Sequence, residues 1–384
     1  MRFLQAEQLF NGVNFEKEVA VMVLNDAQEF VEFIRVDEID EGRVEKHKGC
    51  ITPGFLNAHC HLELSHLKGK IPEGTGLTGF AKHIMGLRQT FSEAEILEHM
   101  KDADAAMWEL GIVAVGDICN LPNSFKLKAD SRIRYHSFVE LISLHPAMAQ
   151  ATFEQGKELL NQLQYYGLQG SLVPHAPYSV SEDLMRLLAN EAVQNSRMIS
   201  IHNQESRDET AFLMGEPGGI RDLYAFLNID ISWYRAPVKS GLSYLGQLMP
   251  ESLSLFVHNT FSTEKDVDLG RNMGAFWCFC PQANYYIERT QPRFDLFKDV
   301  ETKCCFGTDS LASNHKLDLL AEANMLAQNS SQFSLESILS MLTTNAAKAL
   351  GLQDQLGTFI KGKNTGLNLL QFNDKDIRFI KKLS

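Results

Sequence analysis

The chain is short of several features that would have assigned it quickly. No apolar run approaches the roughly 18 residues needed to span a bilayer. Met1-Arg2-Phe3-Leu4-Gln5-Ala6-Glu7 turns polar and acidic before a hydrophobic signal core can form, so neither an anchor nor a secretory leader is expected. Cysteine is sparse, seven in 384 residues, an odd number without a Cys-x-x-Cys pair, which argues against a disulfide framework. Positive charge is in deficit: 36 Lys and Arg stand against 48 Asp and Glu, a net charge of −12 that disfavours nucleic acid as a partner. There is no internal repeat, low-complexity tract or long linker. These absences predict a soluble cytoplasmic protein with no membrane or nucleic-acid partner. Hydrophobic residues make up 44%, enough for one large core or two unequal domains.

What is present is a pattern of alternating elements. Met1 to Phe10, Ala20 to Leu24 and Glu29 to Ile34 read as short β-branched or aromatic strands separated by turn residues. The far C-terminus looks alike, with Asn368–Phe372 and Ile377–Ile380 on either side of an Asn373-Asp374 turn. Between these ends lie eight apolar segments: Ile51–His61, Gly111–Cys119, Ile133–Leu144, Ser171–His175, Met198–His202, Leu253–His258, Gly274–Cys280 and Lys303–Gly307. Amphipathic helical patterns such as Glu154–Tyr165, Ser181–Gln194, Thr263–Met273 and Ser334–Leu350 separate them. Near-continuous apolar strands alternating with helices indicate a parallel sheet covered on both faces. Eight such units in about 300 residues predict an α/β fold, a (β/α)8 TIM barrel with its site at the C-terminal strand ends. The expected division is 52–350 for the barrel, with 1–51 and 351–384 forming a small composite β-sheet domain. A doubly wound open sheet is the alternative, but the first βα turn lacks a glycine-rich phosphate loop. Leu62 to about Phe91 and Arg207 to about Pro250 exceed ordinary βα connections and read as lids.

The stretch that organises the rest is Pro53-Gly54-Phe55-Leu56-Asn57-Ala58-His59-Cys60-His61. On a strand, His59 and His61 at i, i+2 point to one side. Two imidazoles at a strand end hold one divalent metal with little rearrangement. Alone, the pair is explained as well by two hydrogen-bonded, partly buried histidines. His175, His202, Glu205, His258 and Asp309 change the balance, because each ends its own apolar run.

Together these words resemble the amidohydrolase superfamily, and within it the aminohydrolase branch that deaminates purines, pterins and related rings. Besides 53–61, the matching words are His175-Ala176-Pro177-Tyr178-Ser179-Val180-Ser181, His202-Asn203-Gln204-Glu205 and Val257-His258-Asn259-Thr260. They continue with Cys280-Pro281-Gln282-Ala283-Asn284, Gly307-Thr308-Asp309-Ser310-Leu311-Ala312-Ser313-Asn314 and a tail over 345–352. The likeness covers nearly the whole chain and is specific as a set. It implies His59, His61, His202 and Asp309 as metal ligands. Three imidazoles and a carboxylate suit Zn²⁺ first, with Fe²⁺ or Mn²⁺ as alternatives. His175 stands where two-metal members carry a bridging carboxylated lysine, so one metal is expected.

The resemblance further implies Glu205 as a proton shuttle and Asp309 as the group taking a proton from water. His258 would orient the water and polarise the developing oxyanion, and His175 would contact substrate. The continuation His61-Leu62-Glu63-Leu64-Ser65 resembles aminodeoxyfutalosine deaminases, which implies 6-amino-6-deoxyfutalosine, an adenine nucleoside carrying a benzoate, as substrate. The same machinery would serve guanine, methylthioadenosine or adenosylhomocysteine deamination, or s-triazine or amide hydrolysis. A non-catalytic binding barrel is the remote alternative. Glu63 would hydrogen-bond the ribose or ring, and Arg289, Arg293, Arg88 or Arg221 would meet the carboxylate. Trp108, Tyr178, Trp277, Tyr285 and Tyr286 offer stacking surfaces, although most read as core. Ala283 departs from the serine common in relatives and leaves that loop open. Terminal sheets in this family often accompany dimers, so a homodimer is the assembly to test.

Overall fold

The computed structural model describes residues 1–16, 20–87, 90–373 and 376–383; Arg88 and Asp374 lie outside the described residues. β1 (Arg2–Leu9), β2 (Ala20–Leu24), β3 (Phe30–Arg35) and β4 (Glu45–Pro53) come first. The barrel strands follow: β5 (Phe55–Cys60), β6 (Ile112–Cys119), β7 (Arg134–Leu141), β8 (Gln169–Pro174), β9 (Ile199–Asn203), β10 (Ser254–His258), β11 (Phe276–Phe279) and β12 (Cys304–Phe306). β13 (Leu367–Asn373) and β14 (Asp376–Lys382) close the chain.

β5 to β8 and β9 to β12 form two parallel four-stranded runs. They join at two seams. At one, His202 N donates to His175 O at 2.9 Å. At the other, Thr308 N and Asp309 N donate to His59 O at 3.0 and 3.2 Å, and His61 N donates to Asp309 O at 3.1 Å. The barrel therefore closes through the backbone of the residues singled out as site candidates. Every residue of β5, β6 and β9 to β12 is buried, as strands covered on both faces must be.

The termini share one six-stranded sheet, ordered β14-β13-β4-β1-β2-β3, over a core including Leu4, Met22, Ile51 and Leu369. This is the composite sheet expected from the two similar ends. One expected strand divides, however. Ile51–His61 crosses from the terminal sheet into the barrel: Thr52 and Pro53 pair with Asn368 and Leu367, and the barrel strand starts at Phe55. Gly54 makes the crossing, since a Cβ there would stand 2.4 Å from Val113 Cγ1. Ser334–Leu350 also divides, into helices Leu335–Leu342 and Thr344–Ala349. Between them Thr343 sits at φ −128°, ψ −94°, with its hydroxyl donating back to Leu339 O at 2.7 Å. The helices Ala149–Tyr165, Glu182–Asn195 and Glu264–Asn272 match expectation, the last two capped by Ser181 and Thr263. Among the described residues no helix is long and apolar enough to cross a membrane, and all seven cysteines are free and buried.

Candidate active site

The C-terminal ends of the barrel strands bring the predicted metal ligands together. His61 Nε2 lies 3.2 Å from both His59 Nε2 and His202 Nε2. Asp309 Oδ1 stands 3.4 Å from His61 Nε2 and 3.7 Å from His59 Nε2. The approach of β12 to His59 requires a residue without a side chain, because a Cβ on Gly307 would fall 2.7 Å from His59 Cβ. His258 and Asp309 hold left-handed backbone angles, φ +73° and +54°, strain of a kind that collects at functional sites.

The donor set fits a divalent cation. His202 Nδ1 is 2.8 Å from the His175 carbonyl, so it carries the proton and Nε2 presents a lone pair. A single N–H on His61 could serve only one of the two nitrogens that face it. A cation among three lone pairs resolves the rest, and tetrahedral Zn–N bonds of about 2.0–2.1 Å place ligand nitrogens close to the separations seen. Burial pulls His61 down to about 3 and His175 to about 4, which keeps both rings neutral and able to ligate or accept. Asp309 Oδ2 accepts from Ser313 Oγ at 2.5 Å, leaving Oδ1 toward the imidazoles. His59, His258 and Asp309 form a second group that could hold an ion, and Glu140, His175 and His202 a third.

Three further groups complete the floor. Glu205 is 3.7 Å from His258 Nε2 and is raised well above the usual carboxylate range, first by burial and then by the Asp309 charge. Its backbone N–H and that of Gln204 are held by the carboxylate of Glu209 at 3.3 and 2.8 Å. His258 Nδ1 donates to Asn284 Oδ1 at 2.8 Å, which points Nε2 at the site. Glu140, which the sequence reading passed over, sits at the end of β7, 3.6 Å from His202 Nδ1. One of its oxygens is buried without a partner, and burial pushes it up to about 7. Only the strand-end position could have flagged it.

A cavity of about 440 Å³ opens above this floor, reached by His61, His175, His202, Glu205, His258 and Asp309. Glu63 lines it too, its carboxylate accepting from the Asn120 and Leu121 backbone N–H groups at 3.2 and 3.3 Å. The upper walls are largely carbon, from Leu64, Leu67, Phe80 and Ile84 on one long connection and Ile220 and Leu223 on the other. Of the aromatic candidates, Tyr178 lines the cavity; Trp277 is wholly buried in the core.

Of the four arginines expected to meet the carboxylate, the three that are described stand away from the cavity. Arg289 is exposed and pairs with Glu73 at 2.6 Å, Arg293 is exposed, and Arg221 lies over Phe212 with Nε on the Glu216 carbonyl. None of the three lines the cavity, and no Lys or Arg does among the described residues. The physical reason is that Arg289 and Arg293 keep their hydration at the surface, where Arg289 also has Glu73, while the half-buried Arg221 has the Phe212 ring and the Glu216 carbonyl.

Comparison with known proteins bears on the whole chain. The sequence model of the Amidohydrolase family matches residues 50–382. The adenosine deaminase of Helicobacter pylori is 26% identical over 335 residues, 85% of this chain and 80% of its own length. A 5-methylthioadenosine/S-adenosylhomocysteine deaminase of Teredinibacter turnerae is 25% identical over 341 residues, covering 85% and 73%. Among solved structures, Helicobacter pylori aminofutalosine deaminase in complex with methylthio-coformycin superposes with a TM-score of 0.81 at 22% identity, covering 97% of this chain and 93% of that one.

Proposed function

Because the chain belongs to the amidohydrolase family and is a hydrolase acting on C–N bonds, we propose that it deaminates a 6-aminopurine nucleoside with a bulky, mostly apolar 5′ substituent. Within that class the specific substrate proposed is 6-amino-6-deoxyfutalosine. The observation that carries this reading is the cavity itself, a polar floor of proton-handling groups beneath a carbon-walled chamber. Relatives named for adenosine and methylthioadenosine deamination support the purine part.

His59, His61, His202 and Asp309 would hold one divalent metal, Zn²⁺ by donor chemistry. When bound, such an ion lowers the pKa of water enough to supply a nucleophile at neutral pH. The residues of the chain do the rest. Asp309 Oδ1 takes a proton from the attacking water, its other oxygen being fixed by Ser313. Glu205, kept protonated by burial, gives a proton to the ring nitrogen beside the amino-bearing carbon; the proton held by Asp309 passes to the amino group, which leaves as ammonia, and the second proton of the water returns to Glu205. His258, oriented by Asn284, holds the water and the developing oxygen charge. His175 and Glu63 face the substrate rather than the metal.

A second reading has its own observation: without a lysine or arginine on the described walls, an uncharged 5′ substituent such as methylthio also fits. Ammonia release and formation of the oxopurine, assayed with metal-loaded protein on adenosine, methylthioadenosine and 6-amino-6-deoxyfutalosine, test the proposal. No release from any of the three would overturn it.

A further inference from the structure

One side chain on the cavity wall has buried polar atoms and nothing to bind. His66 lies on the short helix Leu62–Leu67, is 6% exposed, and packs edge-to-face on Phe91 with ring centroids 5.0 Å apart. Neither Nδ1 nor Nε2 makes a hydrogen bond of acceptable geometry. Burial lowers the ring's pKa and is the largest effect on it; the Glu63 carbonyl, one turn earlier, works in the opposite direction. A buried imidazole with no partner is costly, so such a group calls for an occupant.

The neighbouring polar groups are already engaged. Tyr224 gives its hydroxyl to Tyr178 O at 2.9 Å, Asn120 Nδ2 bonds Glu140, and the Glu63 carboxylate accepts two backbone N–H groups. Among the described lining residues His66 alone has every side-chain polar atom buried and unpartnered. Among the described residues, the other basic side chains lining the cavity are His61, His175, His202 and His258, all at the floor.

We propose that His66 is a specificity-determining residue, hydrogen-bonding the acceptor at the far end of the substrate's 5′ substituent, for which a carboxylate is the best-matched class. The inference rests on the deaminase reading above and gives His66 the place that no described arginine fills. Imidazole carries an N–H in either tautomer, so it donates from whichever nitrogen the bound substituent reaches. A carboxylate brought against it also favours a second proton on the ring, which strengthens the bond through charge. Carbon walls around the pair exclude competing water.

The test compares two substrates across variants. kcat/KM is measured for 6-amino-6-deoxyfutalosine and for methylthioadenosine with wild type, His66→Leu and His66→Gln, each checked for melting temperature. The loss in His66→Leu should be about 10- to 100-fold greater on the carboxylated compound, the range for a hydrogen bond to a charged group, and should appear in KM. His66→Gln, which keeps a donor, should recover part of it. Equal losses on both compounds, or none on the carboxylated one, would overturn the role of His66 while the deaminase reading stands. A wild type that deaminates methylthioadenosine but not the carboxylated compound would overturn both the role and the substrate assignment.

Discussion

The floor of the cavity and its upper walls are built differently. The floor comes from the ends of barrel strands: His59 and His61 leave β5, His202 ends β9, His258 ends β10, and Asp309 follows β12. Each is fixed by a backbone ladder, and three have a side-chain partner outside the cluster or a carbonyl of their own: His202 the His175 carbonyl, His258 Asn284 and Asp309 Ser313. The walls come from two connections that carry short helices, Gly76–Leu87 on one side and Gly219–Phe226 on the other. They contribute mostly carbon. The difference teaches that the reaction is held by the rigid part, while choice of substrate is left to segments free to vary in length and side chain.

The comparison can be broken most severely at the floor. His59→Ala should abolish both metal content and ammonia release, since two remaining imidazoles hold an ion poorly. Metal analysis beside the assay checks it, and a variant that keeps its metal and turnover would remove His59 from the ligand set. Glu205→Gln should keep metal and fold but lose about 10²- to 10⁴-fold in kcat, the usual weight of a general acid–base group. Turnover within a few-fold of wild type would make Glu205 structural.

Beneath the floor lies a support whose loss should cost stability. Lys128 Nζ and Asp117 Oδ2 are 2.6 Å apart with both side chains wholly buried, and Asp117 Oδ1 accepts from Leu62 N, next to His61. Lys128→Met strands a buried carboxylate and should destabilise by about 3–5 kcal/mol, read by denaturant unfolding. An unchanged midpoint would show that the pair is not holding this corner. At the walls the effects should be smallest and selective. Leu223→Ala should raise KM for compounds with a large 5′ substituent by about 1–3 kcal/mol, the scale of trimming an apolar contact, with adenosine little changed. A uniform change across substrates would erase the distinction between floor and walls.

The two regions also differ in how far they could be read from sequence. A histidine or acid ending an apolar run is legible, because strand ends in a barrel face the site. His59, His61, His175, His202, Glu205, His258 and Asp309 are singled out that way; all but His59 line one cavity, and His59, wholly buried, stands 3.2 Å from His61. Glu140 was missed because its strand was read through to Leu144, which placed it mid-strand; β7 stops at Leu141. The break at Gly54 was missed because apolar burial continues on both sides of it. The walls carry no periodic signal that fixes where a side chain points. Arg289 and Arg293 were chosen by proximity in the chain, but a long side chain on a loop takes the nearest partner, and for Arg289 that is Glu73.

The central claim is that the walls select a nucleoside with a large 5′ substituent for a reaction that the floor performs on any 6-aminopurine. Its most direct test is kcat/KM of the metal-loaded protein for 6-amino-6-deoxyfutalosine against methylthioadenosine, adenosylhomocysteine and adenosine. The account predicts the highest value for 6-amino-6-deoxyfutalosine and the lowest for adenosine, with the differences carried mainly by KM. Adenosine turned over as efficiently as the substituted nucleosides would contradict it.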